Sequence, residues 1–199
     1  MTFINIRMAT SADAAAIAAI YAPIVCETTI SFEYDPPDEA EMGARIKNTV
    51  QAFPWLICAI DDAVAGYAYA GLHRKRTAYQ WSTEVSAYVH ADFRRRGVAR
   101  GLYTSLFALL TVQGYVNAYA GITMPNPPSV GFHQSLGFTL IGTYKNVGYK
   151  FGAWHDTTWW QRALQPHADD PAPPQPIVNV INTPDADAAL EIGLTLIRV

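Results

Sequence analysis

Cysteine is nearly absent: Cys26 and Cys58 are the two thiols in 199 residues. Both sit amid apolar neighbours without CxxC or Cys/His spacing, which excludes a disulfide framework and a zinc or redox site. Both are expected to be reduced and buried. No apolar run approaches the roughly 20 residues needed to span a bilayer, and the N-terminus lacks a basic region followed by an apolar core and cleavage site. The expected location is therefore cytoplasmic. A basic surplus is missing too: 14 Lys and Arg stand against 17 Asp and Glu, a net charge of −3. That balance argues against nucleic acid or a membrane surface as a partner, since either rewards excess positive charge. Neither GxxxxGK[ST] nor GxGxxG occurs, which excludes a P-loop and a dinucleotide fingerprint. There is no internal repeat.

Half of the chain is hydrophobic, enough for one domain with a sizeable core plus a tail. Ile4 and Ile6 alternate with polar residues, and Thr10 or Ser11 can cap the apolar run Ala14 to Tyr21. Glu27 to Glu33 is rich in β-branched and aromatic residues, and a helix is expected from about Asp38 to Gln51. Phe53 to Ile60 and Val64 to Leu72 flank Asp61-Asp62-Ala63 as a hairpin. Gln80 to His90 reads as a strand, Phe93 to Gly101 as an arginine and glycine loop, and Leu102 to Gln113 as an apolar helix. Tyr115 to Thr123 is strand-like, Ser129 to Leu136 is a short helix stopped by Gly137, and β segments cover Thr139 to Tyr149 and His155 to Leu164. The interleaving predicts a mixed α/β fold. From Pro166 the composition turns to proline, alanine and aspartate, so the expected division is a domain over 1–165 and an extension over 166–199. In that extension Ile177 to Ile181 is β-prone, and Asp185 to Leu196 can form a helix.

The segment Arg94-Arg95-Arg96-Gly97-Val98-Ala99-Arg100 follows a strand and opens a helix. Free N–H groups and the positive end of the helix dipole converge there on one point, which attracts phosphate. Gly97 and Ala99 let the backbone approach an anion, and the arginines add donors. The alternative is a solvated arginine turn.

Context favours the anion site. Arg94-x-x-Gly97-x-Ala99 matches the Q/R-x-x-G-x-G/A signature of GNAT acetyltransferases, which the chain resembles. From about Ile6 to Leu164 it is similar to the phosphinothricin N-acetyltransferase branch. The similarity rests on Tyr67-Ala68-Tyr69-Ala70-Gly71, Trp81-Ser82-Thr83-Glu84, Ala87-Tyr88-Val89, Asn126-Pro127-Pro128-Ser129-Val130, His133-Gln134-Ser135-Leu136-Gly137-Phe138 and Gly152-x-Trp154-His155-Asp156. The resemblance implies the acyl-CoA N-acyltransferase fold, a mixed sheet splayed into a V and flanked by helices. Acetyl-CoA would be the cosubstrate, with its pyrophosphate on Arg94 to Arg100, and no metal would be needed.

Acetyl transfer from a thioester to an amine requires a neutral amine, donors on the thioester oxygen and a proton for the thiolate. By resemblance, Glu84 is the general base; from the residues alone it reads as an edge carboxylate or a salt-bridge partner. A bulge at Ala87-Tyr88-Val89 would free backbone donors for the pantetheine and the carbonyl. His133 stands where many GNAT enzymes have a tyrosine, and is an acid, a hydrogen-bonding partner or a structural histidine. Asn126 would contact CoA. Arg74, Lys75 and Arg76 form a basic cluster suited to an anionic acceptor. The resemblance assigns Arg74 and Arg76 to the acceptor's acidic groups, with Phe32, Tyr79 and Tyr103 completing its pocket. His155-Asp156 reads as structural, because neighbours on one strand face opposite ways.

The implied reaction is direct attack by the α-amino group of a small acidic amino acid or analogue within a ternary complex. Another amine, such as a protein N-terminus, polyamine or aminoglycoside, and a non-catalytic CoA-binding module remain as alternatives. A homodimer is implied as well, with the apolar Trp159-Trp160 pair read as part of its interface.

Overall fold

In the computed structural model, which describes residues 2–198, the elements run β1 (Ile4–Met8), α1 (Ala14–Glu27), α2 (Glu39–Thr49), β2 (Trp55–Ile60), β3 (Ala63–Leu72) and β4 (Ser82–Val89). Then come α3 (Val98–Gln113), β5 (Asn117–Thr123), α4 (Pro127–Ser135), β6 (Thr139–Lys150), β7 (Ala153–Ala163), α5 (Ile177–Val180) and α6 (Pro184–Glu191). The strands form one seven-stranded sheet in the order β1-β2-β3-β4-β5-β7-β6, antiparallel except between β4 and β5. The mixed α/β reading holds.

Apolar residues on both faces of the central strands force helices onto both faces. On one, Ile17, Val25, Met42 and Ile46 from α1 and α2 bury Ile57 and Tyr67. On the other, Leu102, Leu106 and Leu110 of α3 cover Leu56, Ala68 and Val85. α3 begins at Val98, earlier than its apolar run indicates, because Gly97 at φ +84° turns the chain straight into it. It ends at Gly114, also left-handed at φ +96°.

The parallel contact between β4 and β5 is short, pairing only Ser82, Thr83 and Glu84 with Asn117, Ala118 and Tyr119. Both strands continue, so beyond Glu84 they diverge and the sheet opens into a V. The bulge expected at Ala87-Tyr88-Val89 is not there: β3 and β4 stay in unbroken register from Leu72↔Thr83 to Gly66↔Val89. Divergence from β5, rather than an extra residue, leaves backbone groups of β4 without a ladder partner on that side.

The β-branched segment Glu27 to Glu33 forms no strand; α1 runs to Glu27 and 28–38 is irregular. Side chains anchor it instead of a ladder. The Lys150 ammonium, itself buried, donates to the carbonyls of Val25 at 2.6 Å and Ser31 at 2.8 Å. The Tyr21 hydroxyl meets Ser31 Oγ at 2.8 Å.

The β-prone stretch from Ile177 is likewise helical, as α5, and it does not stand apart from the domain. Ile177, Val180, Ala186, Ala189 and Ile197 belong to the same buried cluster as α3. Burying an isoleucine or valine contributes roughly 1.5–3 kcal/mol, so this extension is tied down by packing. Cys26 is exposed, against expectation, because it lies on the outer side of α1; Cys58 is buried, which pushes its thiol up to about 12. Trp160 is core, its indole N–H donating to Thr158 Oγ1 at 3.0 Å. Among the described residues no helix is long and apolar enough to cross a membrane.

Candidate active site

A cleft of about 580 Å³ fills the opening of the V. Its walls bring together β4 residues Val85 to Val89, Ala120 and Gly121 of β5, Arg94 and Ala99 of the arginine loop, Tyr103 of α3, and Asn126 and His133 of the α4 region. It adjoins a hollow of about 290 Å³ formed by Arg94, Arg95, Gly97, Val98, Ala99 and Arg100 with Phe132. Residues far apart in sequence thus converge along a groove leading from the arginine loop to the point where β4 and β5 meet.

The loop is held in a conformation that favours anions. Arg95 is left-handed at φ +64° and Gly97 at φ +84°; left-handed residues within such a turn aim successive N–H groups inward, as in a nest. Arg95 adopts this at some cost, since its Cβ crowds the backbone there. Among the described residues, none of Arg94, Arg95, Arg96 and Arg100 pairs with a carboxylate. Arg100 donates to Ser135 Oγ at 2.7 Å and braces α4 against α3. Arg96 departs from the expected role. Its guanidinium lies 5.4 Å from the Phe93 ring centroid and lines a different hollow, with Thr2 and Ile60 to Ala63.

Asn126 caps α4, its Oδ1 accepting from Ser129 N–H at 3.2 Å, while its amide N–H groups take no part in the cap. His133 is buried on α4. Its Nδ1 lies 2.8 Å from the Ser129 carbonyl, an acceptor only, which fixes the proton on Nδ1, and its Nε2 faces the Tyr103 hydroxyl at 3.4 Å. Burial lowers the imidazole below its ordinary value, and the bond to Ser129 only partly offsets this. His133 is therefore a neutral ring with its proton engaged. Tyr103 is fully enclosed beside it, and burial drives its phenol far above the usual range. This places Tyr103 on the inner wall of the cleft, away from Tyr79 and the basic cluster.

Glu84 is the last β4 residue paired with β5, and Val85 the first to line the cleft. Its side chain is 37% exposed rather than sunk in the core. Two donors share its Oε1: His73 Nδ1 at 3.0 Å and Arg74 Nη1 at 3.3 Å. Among the described residues Oε2 has no protein partner. His73 in turn stacks on Tyr119 at 4.3 Å and meets Tyr79 and Trp159 edge-on. Arg74, expected to hold an acceptor's acid, thus lies on Glu84 and over the Trp159 ring at 5.8 Å. Arg76 is exposed and has no carboxylate partner among the described residues. Phe32 is not gathered here; it packs against His155 and Gly148 on the β6–β7 side.

His73 is the residue that sequence reasoning missed. Its signal was position, immediately before the basic cluster, but its partner follows from register. Gly71 pairs with Glu84 across β3 and β4, so the chain leaving β3 passes over that carboxylate.

Residues 6–159 match the family model of the acetyltransferase (GNAT) domain. The chain is 38% identical over 174 residues to the phosphinothricin N-acetyltransferase of Streptomyces viridochromogenes, covering 87% of this chain and 93% of that one. It is 33% identical to the L-methionine sulfoximine/L-methionine sulfone acetyltransferase of Salmonella typhimurium, covering 82% and 96%. Among solved structures it resembles a GNAT superfamily phosphinothricin acetyltransferase of Sinorhizobium meliloti in complex with acetyl-CoA. There the TM-score is 0.80 and the identity 35%, over 85% of this chain and 93% of that one.

Proposed function

The chain belongs to the GNAT acetyltransferase family, and from that premise we propose that it transfers acetyl from acetyl-CoA to the α-amino group of a small acidic amino acid or analogue, such as phosphinothricin or methionine sulfoximine. One observation carries the reading: an arginine loop that pairs with no carboxylate among the described residues lies at one end of a groove, and Glu84, with only one oxygen paired, stands next to Val85 at the other. The pyrophosphate binds the N–H groups of Gly97 to Ala99 with Arg94, Arg95 and Arg100 around it. The pantetheine lies between β4 and β5, where unladdered groups of Ala87 to Val89 hold its amides.

The acceptor enters beside Glu84, which takes a proton from the ammonium through Oε2, directly or through water. The freed amine attacks the thioester carbon in a ternary complex, the C–S bond breaks as the tetrahedral intermediate collapses, and the surplus proton on the attacking nitrogen passes through water to the departing CoA thiolate, leaving the amide. His133 acts as a hydrogen-bonding partner that orients Tyr103, in keeping with a neutral ring whose proton is engaged. With Arg74 drawn onto Glu84, Arg76 is the cation assigned to the acceptor's acid group. The two free cysteines accord with a cytoplasmic enzyme.

A panel of amines with thiol release as the readout tests the acceptor. Phosphinothricin or methionine sulfoximine is expected to outperform polyamines, aminoglycosides and peptide N-termini, and a preferred polyamine overturns the assignment. In Arg76→Ala the KM for the acidic acceptor should rise about tenfold or more, the value of a charged hydrogen bond, with the KM for acetyl-CoA unchanged.

The homodimer is proposed through the edge strand β6 rather than Trp159-Trp160. Leu140, Ile141, Tyr144, Val147 and Tyr149 are exposed along it, with Phe151 and Trp154 alongside. Such an apolar edge invites a second copy. Light scattering should give twice the chain mass, and Ile141→Lys with Val147→Lys should give a monomer; a wild-type monomer at all concentrations refutes the dimer.

A further inference from the structure

The C-terminal extension lies along the back of α3, antiparallel to it, and is fastened at both ends. Near the C-terminus of α3, the Gln113 amide donates to the Gln175 carbonyl at 2.7 Å, and Gln175 N–H returns to the Gln113 carbonyl at 2.8 Å. Midway, Ser105 Oγ donates to Leu190 O at 2.9 Å and accepts from Gly193 N–H at 3.2 Å. At the N-terminal end, Arg198 N–H donates to the Arg96 carbonyl at 2.7 Å. That carbonyl belongs to the residue between left-handed Arg95 and Gly97.

Gly97, Gly101 and Ser105 recur every four residues and present one smooth face of α3 to this strap. A Cβ on Gly101 would stand 2.7 Å from the Gly193 carbonyl, one on Gly193 would strike the Gly101 carbonyl, and one on Gly97 would strike that of Leu196. Ile197 packs on Gly101 from the same side. Ala99 and Tyr103, which line the cleft, are two positions along and so about 200° round the helix. The strap therefore grips the loop from behind and leaves its ligand side open.

We infer that residues 193–198 are a positioning element for acetyl-CoA, holding the strained Arg95-Arg96-Gly97 turn in its anion-binding shape. The inference rests on the acetyl-CoA reading of that loop. An unstrapped loop must be ordered again at each binding event, which weakens affinity without touching the chemistry at Glu84.

The test uses the full chain carrying Gly101→Ala, whose new methyl wedges the strap away while alanine favours the helix itself. The KM for acetyl-CoA should rise about tenfold, the order expected when a strained turn is no longer held, with kcat within twofold. Deleting 194–199 should give the same KM, and Gly101→Ala should then add nothing. Reciprocity supplies a readout that passive packing does not: acetyl-CoA should slow amide exchange in 193–198 of the wild-type chain. Unchanged KM in both variants, or tail exchange indifferent to acetyl-CoA, overturns the strap while leaving the proposed activity standing. A wild-type chain that binds no acetyl-CoA overturns both.

Discussion

Glu84→Gln is expected to lower kcat by about two to four orders of magnitude, the range a positioned general base supplies, while the KM for acetyl-CoA stays put. The split follows from geometry. Glutamine keeps an oxygen that can accept from His73 Nδ1 and Arg74 Nη1, now at 3.0 and 3.3 Å, so the junction of β4 and β5 is preserved. What disappears is the basic oxygen facing the acceptor. The defect should shrink as pH rises and the acceptor amine sheds its proton unaided. Turnover equal to wild type with the best acceptor would remove Glu84 as the base; a parallel rise in the acetyl-CoA KM would show a disturbed cleft instead. Because the imidazole of His73 and the guanidinium of Arg74 share Oε1, the proposed mechanism has the proton received on Oε2, with the acceptor to that side of the carboxylate.

The second large effect is at the other end of the groove. Ala99→Asp should weaken acetyl-CoA binding at least a hundredfold by calorimetry, because a unit charge about 4 Å from a phosphate opposes it by about 4 kcal/mol at an effective dielectric of about 20. Folding should not suffer. Ala99 is the second residue of α3, where an acidic side chain complements the helix dipole by about 0.3–1 kcal/mol. Stability and affinity are thus expected to move in opposite directions, which a general folding defect cannot mimic. Ala99→Ser, similar in size and uncharged, should bind almost as wild type. An Asp variant with wild-type affinity would mean that the pyrophosphate lies elsewhere.

The arginine loop was legible because its requirements are local. A glycine turn, a small residue and a helix start within seven positions are enough to bring the turn and the helix N-terminus together, although the segment packed behind them also contacts the turn. The same locality holds for the β2–β3 hairpin and for the start of α2, where the Asp38 side chain accepts from Glu41 N–H three residues on. The β-branched residues of 27–33 misled because strand propensity needs a ladder partner, and here Lys150, 119 residues beyond Ser31, took that place. The expected bulge misled for a related reason: divergence of β5 freed the same β4 backbone without changing its register with β3.

By itself, then, the sequence determined the fold class, most of the order of elements, the family and the glycine turn that opens α3, since periodicity, turn chemistry and short motifs depend on neighbours along the chain. Only the tertiary structure decided that Arg74 lies on Glu84, that His73 supports it, that Arg96 turns away from the groove, and that a proline-rich extension straps α3 behind the loop. Those facts depend on strand register and on which helix face meets which segment, and contacts across 10 to 100 residues leave no local trace in composition.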